Sequence, residues 1–154
     1  MPLPGGAAEK FGNRYELTWT VSCLVDVYQE RAERIRIEHP GADEAGAEFV
    51  LYRKGIEEFH QCKLGPSHAA KWTLKSLNSE GVLLQLLRFT HSDQKEYHFV
   101  TTVGVENLKE LSNRARDAAD YAEYVPDFLS AKIWAVAFAD LCALIREDED
   151  LKMQ

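Results

Sequence analysis

Cysteine is scarce in this chain: Cys23, Cys62 and Cys142 form an odd, widely spaced set. That excludes a disulfide framework and a Cys-x-x-Cys metal motif, and it suits a reducing cytoplasm. No apolar run reaches the ~18 residues a membrane helix requires, since even Ile133–Ile145 is interrupted by Asp140. The N-terminus, Met1-Pro2-Leu3-Pro4-Gly5-Gly6, lacks the basic-then-apolar order of a signal peptide. Glycine-rich phosphate loops of the Walker or dinucleotide type are missing, so any NTPase would sit on another part of a longer protein. No two histidines stand at the i, i+4 spacing of a helical zinc site. Internal repeats and low-complexity segments are absent too.

What is present is ordinary globular material. The 154 residues fit one domain, and 45% hydrophobic with 28% charged residues lies far from the signature of disorder. The net charge of −7 disfavours a nucleic-acid partner at first sight. Its distribution changes that reading: from Asp117 to Asp150 nine acids face two bases, so this stretch alone carries −7 and the remainder balances. An acidic stretch of this kind is ordinarily a solvated helical face. Between Arg53 and Lys75 the sign reverses, with Arg53, Lys54, Lys63, Lys71 and Lys75 against Glu57 and Glu58.

Residues 1–12 are rich in Pro and Gly and are expected to be loose, with one domain over 13–154. After Asn13, Leu17, Val21, Leu24 and Tyr28 fall at i, i+4, i+7 and i+11, an apolar helical stripe running to about Arg34. Ile35-Arg36-Ile37 reads as a short strand, and His39–Gly46 as turn-forming. Ala47–Tyr52 and Ile56–Lys63 read as strands joined by a hairpin turn at Arg53-Lys54-Gly55. Two short helices follow, around Lys71–Leu77 and Ser79–Thr90, the second capped by Ser79. Tyr97–Val103 is a fourth strand. Helical spacing resumes at Glu106–Tyr121 and Asp127–Arg146, separated at Pro126. A hairpin followed by a helical crossover to a fourth strand predicts an α/β domain: a mixed central sheet of about four strands flanked by helices.

The chemistry concentrates in Gly46-Ala47-Glu48-Phe49 and Glu58-Phe59-His60-Gln61-Cys62-Lys63. Strand alternation places Gln61 and Lys63 on one face, His60 and Cys62 on the other. If the two strands form a hairpin, Glu48 comes beside Gln61–Lys63, and a carboxylate, an amide oxygen and an ammonium converge. Such a set suits phosphodiester hydrolysis. Oxygen ligands hold Mg²⁺, the metal polarises the phosphate, and a lysine orients water or offsets developing charge. The same spacing also describes an exposed strand edge with a solvated lysine. Cys62 is expected to be a buried structural thiol, His60 to pack on the opposite face, and Trp19, Trp72 and Trp134 to anchor cores.

Glu48 with Gln61-Cys62-Lys63, behind a helix bearing Tyr15-Glu16, resembles the PD-(D/E)XK restriction-endonuclease-like superfamily, in its Gln-x-Lys branch. Within it, the pieces Gly12, Tyr15-Glu16, Trp19, Ile37-Glu38, Gly46–Phe49, His60–Lys63 and Trp72 are similar to N-terminal double-stranded-DNA endonuclease domains of bacterial antiphage proteins of the CBASS or STAND NTPase type. The resemblance covers Gly12–Lys63 well and the rest only by element order. It implies a restriction-endonuclease-like core and Mg²⁺ (or Mn²⁺) held by Glu48 and Gln61 with Glu16 and Glu38. It further implies Lys63 at the attacking water and DNA phosphates gripped by Arg53, Lys54, Lys71 and Lys75. A sensor or NTPase domain in the same protein, oligomerisation when active, and a cytoplasmic setting away from membranes follow from it as expectations. Glutamate at position 48, where the family usually has aspartate, and the uncharged Gln61 are departures. They leave a catalytically degenerate interaction module as the alternative.

Overall fold

The computed structural model describes residues 5–37, 46–65, 71–90 and 92–152, with side chains from Arg14 to Arg146 within those stretches. The single domain expected from length resolves into two compact units: Met1–Ala69 with Gln85–Val103, and Ala70–Leu84 with Gly104–Gln154. No helix among the described residues is long and apolar enough to cross a membrane.

The first unit is α/β, with a four-stranded mixed sheet. Helix α1 runs Gly5–Tyr28, so it begins ahead of Asn13, where Ala7-Ala8-Glu9-Lys10 supply good helix formers. It also ends before Arg34. Glu30 takes a left-handed φ of 58°, and the N–H groups of Arg31 and Ala32 turn back onto the carbonyl of Asp26 at 2.8 and 3.2 Å. Those bonds satisfy an acceptor that the last turn leaves open and stop the helix there.

Strands β1 (Arg34–Ile37), β2 (Phe49–Arg53) and β3 (Ile56–Lys63) are antiparallel, and β4 (Lys95–Thr101) joins β3 in parallel, in the order β1-β2-β3-β4. The β2–β3 turn is the expected one. Lys54 and Gly55 have φ of 52° and 79°, the two left-handed residues of a tight hairpin whose twist matches its strands. That turn sets the register Arg53↔Ile56 through Phe49↔His60.

One face of the sheet packs under α1. Phe49, Leu51 and Cys62 form a core with Cys23 and Ala32, joined by Tyr15, Trp19 and Val27. Burying each large apolar side chain of this kind contributes ~1.5–3 kcal/mol. The helix face used is therefore 15-19-23-27. The stripe picked out by spacing, Leu17, Val21, Leu24 and Tyr28, is exposed. The opposite sheet face carries Phe59 and Tyr97, which pack on Phe89 at ring distances of 4.8 and 6.0 Å.

Two boundaries differ from the sequence reading. Ser79 ends α2 (Leu74–Ser79) instead of capping α3 (Val82–Phe89), and its hydroxyl donates to the carbonyl of Lys75 at 3.0 Å. The cap belongs to Thr73, whose side chain accepts from Ser76 N–H. Pro126 lies between helices as expected, but Pro126-Asp127 does not begin the last one, which starts at Lys132. The proline lies within a π-turn, Tyr124–Phe128, that follows the single turn α5 (Tyr121–Glu123) and precedes α6 (Lys132–Lys152). In the second unit, α4 (Glu106–Asp117) contributes Leu111 to a separate core with Tyr124, Leu129 and Ala137.

At the turn end of the hairpin, Arg53 is taken up within the chain. Its Nε donates to Glu58 at 2.9 Å, its Nη2 to Asp26 at 3.0 Å and its Nη1 to the Arg31 carbonyl at 3.3 Å. Glu58 is nearly buried, so truncating its partner leaves a charge without compensation. Arg53→Ala should cost about 1–2 kcal/mol and lower Tm by about 3–6 °C, measured by circular dichroism. An unchanged Tm would show that the network contributes nothing.

Candidate functional site

The site is built by the hairpin register. The paired stretch ends at Phe49↔His60, and Glu48, the next residue, is anchored to the backbone on either side of Gln61. The Glu48 N–H donates to the His60 carbonyl at 2.8 Å, and its Oε2 accepts from the Cys62 N–H at 2.7 Å. One bond thus fixes the main chain of Glu48 and the other its carboxylate.

Burial raises the Glu48 pKa above the usual carboxylate range. The N–H groups of Cys62 and of Glu48 itself, acting on the carboxylate, oppose that rise, Glu16 adds to it, and Lys63 counters it. Glu16, half-buried on α1, therefore reaches the same electrostatic environment as Glu48 and Lys63. These are three of the residues picked out by sequence.

The fourth, Gln61, is only 4% exposed. Its amide oxygen accepts from the Tyr97 hydroxyl, which leaves that oxygen a second lone pair. Tyr97 has a raised pKa, first from burial and then from the nearby charge of Glu48. Sequence reasoning missed Tyr97. It was visible as a strand tyrosine, but its place beside Gln61 depends on the parallel pairing of β4, for which no local signal exists. On the other side, Gly46 holds a φ of 98°, and a Cβ there would lie 2.9 Å from Gln61 Nε2. The amide is clamped between Tyr97 and a position that only glycine fits.

His60 and Cys62 lie under α1, as strand alternation requires. The Cys62 thiol is pushed up to about 12 by burial and then by Glu48 and Glu16, so it stays protonated and is no nucleophile. His60 is 3% exposed, stacked between Phe49 and His98 with ring centroids at 4.7 Å on each side. Burial, then His98 and Arg53, push its pKa down to about 3.

Ligand atoms of Glu58, His60 and His98 lie within 4.8 Å of one another, a spacing a metal could use. The protons and charges argue against it. His60 Nδ1 accepts from the Trp19 indole N–H at 3.1 Å, so a neutral ring carries its proton on Nε2, the nitrogen facing Glu58 Oε2 at 3.5 Å. A metal-binding histidine has the reverse arrangement, donating from its other nitrogen. Glu58 is moreover already paired with Arg53. The trio is better suited to a buried polar network than to a cation.

The remaining residues named by sequence are scattered. Glu38 lies outside the described residues. Arg53, assigned above to DNA phosphates, is engaged by Asp26 and Glu58, and Lys54 sits in the hairpin turn, roughly 20 Å along the strand from Glu48. In the second unit, Lys71 pairs with Glu106 at 2.7 Å, and Lys75 is exposed on α2. Trp72 is buried, as expected of a core anchor.

Two outcomes follow from this geometry. Gly46→Ala should cost about 1 kcal/mol or more through strain at positive φ, and should displace Gln61, seen as loss of any metal-induced rise in Tm. Glu48→Gln tests the charge. Since Glu48 ionises less readily folded than unfolded, its contribution to stability is fully present below the ordinary carboxylate range and is lost as pH rises through the raised value. Glutamine is neutral throughout and still accepts from Cys62, so at pH 7 without metal the variant should melt above the native chain. The difference should vanish in acid; a variant that melts lower at pH 7 would contradict the assignment.

No family model, curated protein or solved structure matches this chain.

Proposed function

We propose that the chain is a Mg²⁺- or Mn²⁺-dependent endonuclease domain that hydrolyses phosphodiesters of double-stranded DNA. The observation carrying this reading is the shared environment of Glu16, Glu48 and Lys63 beside the clamped Gln61. Glu16 adds to the cost of ionising Glu48, and a cation placed between the two carboxylates would offset it. The donor set fits a hard divalent ion: carboxylate oxygens from Glu48 and Glu16 and an amide oxygen from Gln61. Once bound, such an ion supplies Lewis-acid polarisation of the phosphate and a more acidic water.

The chain's own residues do the rest. Glu48 is oriented by the Cys62 N–H, and Gln61 is oriented by Tyr97 and Gly46. Lys63 is the cation that orients the attacking water and offsets charge building on the phosphate oxygens. Lys54 and Lys75, both exposed, remain the side chains best suited to backbone phosphates, where contacts position without reading sequence. The mixed sheet, with an antiparallel hairpin and a parallel fourth strand, is compatible with the restriction-endonuclease-like core. On this reading the domain is a cytoplasmic antiphage effector, oligomeric when active and controlled by a sensor or NTPase domain of the same protein.

A second reading, a catalytically degenerate interaction module, is favoured by Gln61, which brings no charge and whose oxygen is already engaged by Tyr97. Incubating supercoiled plasmid with the protein and Mg²⁺ or Mn²⁺ separates the two. Nicking or linearisation is expected, reduced ~10²-fold or more in Lys63→Ala, a typical loss for one transition-state contact. Thermal stability should be nearly unaltered. Equal cleavage by both proteins removes Lys63 from the mechanism, and no cleavage by either favours the module.

A further inference from the structure

We infer that the outer face of α1 is a self-association surface on which a second copy of this chain docks, with the two α1 helices antiparallel. The patch consists of Leu17, Val21, Leu24, Val25 and Tyr28, exposed at 62, 48, 42, 42 and 88%. Together these side chains offer on the order of 500 Å² of apolar surface, at the size that marks interaction sites on soluble proteins. Burying it on two copies removes roughly 1,000 Å², the threshold for a specific interface.

The spacing selects the occupant. Positions 17, 21, 24 and 28 alternate by four and three, the narrow seam of paired helices rather than the wide stripe of a helix laid on a sheet. The helix already uses its other face, Tyr15, Trp19, Cys23 and Val27, for the sheet. The seam is also complementary to itself when reversed: a register that sets Leu17 against Tyr28 of the other copy also sets Val21 against Leu24. Large then meets small at every level, and the two-fold axis falls between Ser22 and Cys23. From Leu17 to Val25 the helix carries no charge, so nothing repels an identical partner. At the ends the same register carries exposed Arg14 past the last turn of the other copy's helix, where exposed Glu30 lies beside Arg31, itself paired with Asp26 at 2.7 Å. A parallel pair would instead set Arg14 against Arg14 of the other copy, with no acid beside it.

The inference is independent of the nuclease reading, and its test needs no activity. Sedimentation velocity of the full chain over a micromolar concentration series should show a species of twice the 17.5 kDa monomer mass. Leu24→Glu, placed on an exposed position, should shift the chain to monomer with an unaltered circular dichroism spectrum. A monomer at every concentration, or a dimer that survives Leu24→Glu, overturns the proposal. Direction is read by cross-linking: Val21→Cys mixed with Leu24→Cys should give the mixed disulfide in excess over either homodimer. Preferential homodimers would overturn the antiparallel register. The native chain serves as control for Cys142, which is partly exposed.

Discussion

The β2–β3 register governs the chemistry available to this chain. Two left-handed residues, Lys54 and Gly55, fix where the strands meet, and just past the last of five residue pairs Glu48 is bound to the backbone of His60 and Cys62, on either side of Gln61. Because side chains alternate with period two, a slip of one residue would send Gln61 and Lys63 under α1 and expose His60 and Cys62. The apolar positions make such a slip costly, since Phe49, Leu51 and Cys62 share the face that α1 covers. Core packing and site geometry are thus specified by the same pairing.

The Glu48 carboxylate is held between opposing influences. Burial and Glu16 push Glu48 towards protonation, while two backbone N–H groups and Lys63 hold it towards ionisation. A site arranged to minimise folding energy would not bring a second carboxylate close. Compare the far end of the hairpin, where each acid has its cation: Asp26 is held below the usual range by Arg53 and Arg31, and Glu58 is paired with Arg53. One chain therefore contains both solutions, neutralised acids where it needs stability and unresolved ones where the strand ends converge.

Much of this was legible in the sequence, and the failures have physical causes. The hairpin, its turn and the face assignments along β3 follow from local chemistry and alternation, so Glu48, Gln61 and Lys63 could be grouped before any coordinates. Helix α1 could be detected but not oriented, because it is apolar on two sides and periodicity carries no sense of inward. Tyr97 could not be placed, since parallel pairing has no short-range signature. Arg53 looked like a free cation in a basic stretch. Only the fold brings Asp26, 27 residues away in sequence, against it.

The parallel pairing of β4 has a consequence for timing. Gln61 and its hydroxyl partner on Tyr97 are 36 residues apart, whereas the hairpin closes over a handful. Local contacts form quickly, and long-range ones wait on loop closure. A ribosome-bound chain that has emerged only as far as Lys63 can already pair β2 with β3 and bring Glu48 to the end of β3, yet the Gln61 amide has no anchor. The site is completed only when the fourth strand docks, so a truncated or half-made chain keeps the residues of the site without their arrangement.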